Sequence, residues 1–68
     1  MNINITVNGE PLEVESNTTV RELLDQLNIT AKAIAVEINQ CVEPTENLET
    51  KEVKEGDWLE IVTLVGGG

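Results

Sequence analysis

Apolar and polar residues alternate along the first fifteen positions of the chain. An alternation of period two predicts strands with one buried face, here over residues 3–7 and 12–14. Asn8-Gly9 lies between them and is typical of a two-residue hairpin turn, because both residues tolerate a positive φ. Pro11 lacks a backbone donor, which places the second strand at the edge of a sheet. The inward-facing residues of this hairpin are predicted to be Ile3, Ile5, Val7, Leu12 and Val14.

The period changes to that of a helix after a polar loop. Thr19 and Glu22 have the spacing of a capping box, so the helix is predicted to begin there. Asn28, which tolerates a left-handed backbone, is predicted to end it. An apolar stripe at helical spacing is most often core, and here it contains Val20, Leu23, Leu24 and Leu27.

Alternation returns at residues 34–38 and predicts a third strand. Asn39-Gln40 is predicted to be a turn, and Cys41-Val42 the start of a returning strand. Residues 43–54 are polar and irregular, and we expect a short helical turn near residues 45–48. The anchors expected for this crossing segment are Leu48 and Val53.

Residues 54–57 predict a tight turn into a final strand. This strand runs from Trp58 toward Val65 and is rich in branched residues, which suit a pleated backbone. Leu59 and Ile61 are predicted to face the helix. The opposite face would carry Trp58, Glu60, Val62 and Leu64.

No second helix is predicted to cover that opposite face, so it could form an apolar docking patch. For Val62, two interpretations remain open: docking to a partner, or burial beneath residues 43–54. For Leu64, which lies nearer the end of the sequence, docking is favoured.

The predicted order of strand, strand, helix, strand, polar crossing and strand places the chain in the α+β class. The first and last strands carry the strongest apolar alternation, so we expect them to pair. The pattern alone leaves several α+β topologies open. A length of 68 residues indicates one domain with a modest core.

The net charge is −9, from 13 acidic and 4 basic residues. Phosphate backbones would be repelled, and Trp58 is the sole aromatic residue, so nucleic-acid binding is disfavoured. The acidic surface could serve solubility or complement a basic docking surface. No apolar run approaches the ~20 residues of a membrane span, and no secretory signal is recognisable. We therefore expect a cytoplasmic protein without a membrane partner.

The sequence contains no His and a single Cys, Cys41. This composition excludes Ser–His and Cys–His nucleophile pairs and any metal site that contains His. A lone Cys without a secretory signal is typical of a reducing cytoplasm. Cys41 has Glu43 nearby and no basic neighbour to lower its pKa, so we predict a packing role rather than a reactive thiol.

Chemistry is instead expected at the glycines that end the sequence, Gly66, Gly67 and Gly68. They lack side chains to pack and continue a strand poorly. One interpretation is a frayed or leftover terminus. The other is that the Gly68 carboxylate is the working group and that the glycines let it enter a narrow pocket on another protein. The direct junction of strand and glycines, without a polar linker, favours the second interpretation.

Several segments resemble the thiamine-biosynthesis sulfur carrier family ThiS, whose members are ubiquitin-like β-grasp proteins. Gly56–Val62 followed by Val65–Gly68 resembles the C-terminus of the family. Asn8–Glu10, Thr19–Leu24 and Ile34–Asn39 fall in the order of the family as well. The resemblance covers essentially the full length. It implies a β-grasp domain over residues 1–65, with a mixed sheet of four or five strands and one main helix, followed by a flexible tail at 66–68.

The resemblance also implies a chemistry for the tail. An E1-like adenylating enzyme of the ThiF type would use ATP and magnesium to convert the Gly68 carboxylate to an acyl-adenylate. Sulfur from a cysteine desulfurase system would then give a thiocarboxylate, which donates sulfur to a thiazole synthase of the ThiG type. The chain itself would be a protein cosubstrate that binds no cofactor and is not an enzyme. The residues expected to contact partners are Val62, Leu64 and Val65.

The sulfur acceptor is not specified by the tail, so carriers for molybdopterin, tRNA thiolation or cysteine synthesis remain alternatives. A non-covalent ubiquitin-like binding module, or a modifier joined to lysines, is a further alternative. A self-contained enzyme is disfavoured by the lack of His and of a paired acid–base site.

Overall fold

The computed structural model describes residues 1–29 and 33–63 of the chain. Within them, the strands and the helix follow the predicted order. The elements are β1 (Asn2–Val7), β2 (Glu10–Glu15), α1 (Val20–Gln26), β3 (Ile34–Ile38), β4 (Cys41–Glu43), a 3₁₀ turn (Thr45–Asn47) and β5 (Trp58–Thr63).

The strands form one mixed sheet in the order β2-β1-β5-β3-β4. β5 comes last in the chain but lies at the centre, parallel to β1 and antiparallel to β3. The pairing of the first and last strands is confirmed, and β2 with its Pro11 is an edge strand as predicted. This sheet with one helix is the ubiquitin-like β-grasp fold.

The ends of α1 are set by the residues predicted to cap it. The Thr19 hydroxyl accepts from the Glu22 backbone N–H at 3.2 Å, and the Glu22 carboxylate accepts from the Thr19 N–H at 2.9 Å. Both bonds of a capping box are therefore present. Asn28 follows the helix with φ 59°, which confirms it as a left-handed terminator. Of the predicted stripe, Val20, Leu23 and Leu24 are fully buried and Leu27 is partly buried against the core.

The crossing segment between β4 and β5 closes the core on the helix side of the sheet. The N–H of Val20 donates to the Lys51 carbonyl at 2.8 Å, and the N–H of Val53 donates to the Thr18 carbonyl at 2.9 Å. The predicted anchors are confirmed, since Leu48 and Val53 are only 2% and 1% exposed. The crossing segment is thereby tied to the start of α1.

Cys41 is exposed, so the predicted packing role is wrong. It lies opposite Ile38 across the β3–β4 turn, and Ile38 is buried. However, β4 is a three-residue strand at the outer edge of the sheet, and no further strand of residues 1–29 and 33–63 lies beyond it. The physical reason for the error is the strand order, which the local sequence pattern does not contain.

Candidate functional site

β5 leads from the core toward the residues predicted to carry the chemistry. Its side chains alternate as expected, with Leu59 and Ile61 buried and the intervening positions exposed. Trp58 is 49% exposed and Val62 is 54% exposed. β5 therefore presents apolar side chains on the face of the sheet opposite α1, which we call the open face and define by Glu37, Val42, Trp58, Glu60 and Val62.

The open face excludes one of the two interpretations of Val62. Val62 lies opposite Ala35 of β3. The crossing segment, which was the candidate for covering Val62, is hydrogen-bonded to the start of α1 and so lies on the other face. The interpretation that Val62 is buried beneath residues 43–54 is wrong, and docking through Val62 stays a prediction.

Two carboxylates lie among the apolar side chains of the open face. Glu37 and Glu60 are direct partners across β3 and β5, and Glu37 also faces Val42, which is 71% exposed. Like charges directly opposite each other are unfavourable in an isolated sheet. A partner with a basic surface would relieve this repulsion.

The start of β5 is held by a side chain from the β3–β4 turn. Asn39 has φ 53° and its N–H donates to the Trp58 carbonyl at 2.8 Å. Its side-chain oxygen accepts from the Trp58 N–H at 3.0 Å, and its side-chain nitrogen donates to Asp57 Oδ1 at 3.0 Å. Asp57 Oδ2 also accepts from the Lys54 N–H at 2.7 Å. These bonds fix the turn into β5.

The end of β5 is held by a side chain from the β1–β2 turn. Asn8 has φ 51°, and its side-chain oxygen accepts from the Ile61 N–H at 2.7 Å. Its side-chain nitrogen donates to the Ile61 carbonyl at 3.3 Å. The sequence predicted Asn8 and Asn39 only as turn residues. Their shared place at the first position of a two-residue turn was the available signal, but it did not point to β5.

Residues 4–68 match the model of the ThiS family. The chain belongs to the ThiS family. The match reaches Gly68 and so includes all three glycines. Gly66, Gly67, Gly68, Leu64 and Val65 lie outside the described residues, and the roles given to them stay predictions.

Several proteins are similar to this ThiS-family chain. The uncharacterized protein ycf40 of Porphyra purpurea is 36% identical over 67 residues, which cover 98% of this chain and 94% of that protein. The sulfur carrier protein ThiS of Thermus thermophilus is 30% identical over 94% of this chain and 98% of its own length. The crystal structure of ThiS from Geobacter metallireducens has 38% sequence identity and a TM-score of 0.80, covering 97% of this chain and 100% of that one.

A longer protein contains a similar segment. The thiazole synthase of Paramagnetospirillum magneticum is 36% identical over 64 residues, which are 94% of this chain but only 20% of that protein. A ThiS-like segment thus occurs inside a protein named for thiazole synthesis.

Residues 1–29 and 33–63 contain no group of three or more His, Cys, Asp or Glu side chains placed to hold a metal ion. Their helices also lack the length and hydropathy of a membrane span.

Proposed function

We propose that this protein is a sulfur carrier in thiamine biosynthesis and that the carboxylate of Gly68 carries the sulfur. The observation that supports this most strongly is the match to the ThiS family over residues 4–68, because it includes the glycines as well as the folded body. The similarity to a sulfur carrier protein of Thermus thermophilus over 94% of the chain is in agreement.

The proposed chemistry begins with activation of the carboxylate. A carboxylate is a poor electrophile because it is anionic and lacks a good leaving group. An E1-like adenylating enzyme that holds Mg²⁺ and ATP would transfer AMP to the Gly68 carboxylate and release pyrophosphate. Glycine suits this step because a chain without Cβ atoms fits a narrow channel.

Sulfur then replaces AMP. The terminal sulfur of a persulfide, made by a cysteine desulfurase system, would attack the acyl carbon of the adenylate and expel AMP. A thiol reductant would cleave the S–S bond of the resulting acyl disulfide and leave a thiocarboxylate on Gly68. With free sulfide as the donor, the thiocarboxylate forms directly and no reductant is needed. In this scheme the chain is a cosubstrate and not an enzyme.

The open face is the part of the body proposed to dock on these partners. Val62 is 54% exposed on it and is followed in the sequence by Leu64 and Val65, which we propose to contact the partner together with Val62. The net charge of −9 would speed the encounter with a basic partner surface.

Thiazole synthase is the proposed sulfur acceptor. The ThiS-like segment within the thiazole synthase of Paramagnetospirillum magneticum supports this choice, because a fused carrier and acceptor act in the same reaction sequence. Carriers for molybdopterin, tRNA thiolation or cysteine synthesis have no such support here.

The test of carrier activity is an intact-mass measurement. The chain is incubated with the E1-like adenylating enzyme of its own organism, Mg-ATP and sulfide. We expect a mass increase equal to the exchange of one oxygen for one sulfur, and no increase without ATP. A chain that lacks Gly68 is the control and should stay unmodified. The proposal would be contradicted if the full chain stayed unmodified while the same enzyme charged another ThiS protein.

The test of the acceptor follows from the charged chain. One portion of the charged chain is incubated with a thiazole synthase, and another portion with the large subunit of a molybdopterin synthase. We expect the added mass to be lost only with the thiazole synthase and its substrates. Loss only with the molybdopterin enzyme would assign the carrier to that pathway instead.

A further inference from the structure

Asn8 links β1 to β5 beyond the point where β1 ends. β1 ends at Val7, whose partner in β5 is Leu59. The N–H of Asn8 donates to the Leu59 carbonyl at 2.8 Å, and its side-chain amide then makes one bond to each backbone group of Ile61. In a continued parallel strand, the carbonyl of one residue and the N–H of the residue two positions further on would make these two bonds. The Asn8 side-chain amide makes both and therefore takes the place of a continued ladder.

This replacement matters because β1 and β5 share a short ladder. Their register contains two residue pairs, Thr6 with Trp58 and Val7 with Leu59. On its other side β5 stays paired with β3 as far as Thr63. Ile61 is the last buried residue of β5, and through Asn8 it is held from both sides of the strand. Asn8 thus fixes the path of β5 two residues before the strand ends at Thr63.

The turn alone does not account for both bonds. Asn is common at positions of positive φ, and Asn8 has φ 51°. This turn conformation does not require the side chain of Asn8 to bond to β5. Asn39 also has a positive φ, of 53°, and its side chain bonds to Trp58 at the start of β5. The two asparagines are therefore alike in turn position and differ in which end of β5 they hold.

We propose that Asn8 is a positioning residue for the charging of Gly68. By holding Ile61, it sets the direction in which the end of the chain is presented to the adenylating enzyme. This role rests on the proposed function, and in it Asn8 acts through its bonds to Ile61. Asn8 is not one of the residues of the open face, so we expect its substitution to retain docking and to impair presentation of the carboxylate.

The experiment compares Asn8→Gly with Asn39→Gly. Glycine accepts the positive φ of both turns, so each substitution removes the amide without straining the backbone. For Asn8→Gly we expect kcat for ATP-dependent charging to fall roughly tenfold, with KM within about twofold of wild type. Amide exchange at Ile61 should accelerate about tenfold, because its hydrogen bond is lost.

Asn39→Gly is the matched control. It removes bonds to both Trp58 and Asp57, so it should lower Tm at least as much as Asn8→Gly while leaving kcat near the wild-type value. Wild-type kcat for Asn8→Gly, or an equal loss of kcat in both variants, would overturn the role of Asn8 alone. A wild-type chain that is not charged at all would contradict the proposed function and this role with it.

Discussion

Asp57 joins two turns through one buried carboxylate. It is 9% exposed and accepts hydrogen bonds from the Lys54 N–H and the Asn39 side chain. A bond to a charged acceptor contributes more than a neutral one, and loss of the acceptor leaves both donors unpaired. Asp57 therefore stabilises the entry into β5.

Replacement of Asp57 by Ala should lower the free energy of unfolding by about 2 kcal/mol. Urea denaturation, monitored by the fluorescence of Trp58, measures this change in the free energy of unfolding. Asp25→Ala on the exposed side of α1 is the control and should change stability by less than about 0.5 kcal/mol. Equal effects of the two substitutions would show that the Asp57 bonds contribute little.

Among the described residues, Val62 is the one that is predicted to contact the partner. Val62→Ala removes apolar surface from an exposed position, so Tm should be nearly unchanged. If Val62 is buried at the partner interface, KM for charging should rise about threefold, as expected for the loss of a small apolar contact. Val42→Ala makes the same change at the outer edge of the open face, on β4, which β3 separates from β5, and so should have a smaller effect. An unchanged KM for Val62→Ala would remove Val62 from the docking surface.

At the scale of the elements, the local sequence was informative where local chemistry decides the structure. The β1–β2 hairpin follows from Asn8-Gly9, which tolerate positive φ, and α1 begins at its capping box. The alternation in β5 gave its buried face correctly, because burial in a strand repeats every second residue. These features involve residues close in sequence.

Features that depend on strand order were not predictable in this way. Cys41 was misplaced because its exposure follows from the position of β4 at the edge. The exposure of Val62 required knowing on which face the crossing segment lies. The Asn8–Ile61 bonds connect residues 53 positions apart, and a local sequence pattern does not predict such a contact.

α1 illustrates how an element depends on its packing. It has only seven residues, and an isolated helix of that length is not stable in water. Leu24 is fully buried, so Leu24→Ala should lower the free energy of unfolding by about 2–5 kcal/mol. Gln26→Ala, on the exposed side of the same helix, should be close to neutral in the same urea titration. A small effect of Leu24→Ala would mean that the core collapses around the lost volume.

At the scale of the whole molecule, the acidic charge is poorly balanced. The chain carries a net charge of −9, and the described residues contain one ion pair, between Lys54 and Glu52 at 3.8 Å. Repulsion among unpaired carboxylates disfavours the compact state, and salt screens it.

Raising NaCl from low to moderate concentration should therefore increase Tm by a few degrees, equivalent to roughly 1 kcal/mol for a domain of this size. Differential scanning calorimetry measures the change, and KCl serves as a control for ion-specific effects. A decrease in Tm with both salts would indicate that attractive charge pairs dominate the folded state.

The proposed carrier function requires that sulfur is carried at the end of the polypeptide, and fragment masses locate the sulfur most directly. Trypsin cleaves after Lys54, and residues 55–68 contain no further Lys or Arg. After charging with the adenylating enzyme, Mg-ATP and sulfide, tandem mass spectrometry of this peptide should place the oxygen-to-sulfur exchange on Gly68. Sulfur found on Cys41, or an unchanged 55–68 peptide from a charged chain, would contradict the account.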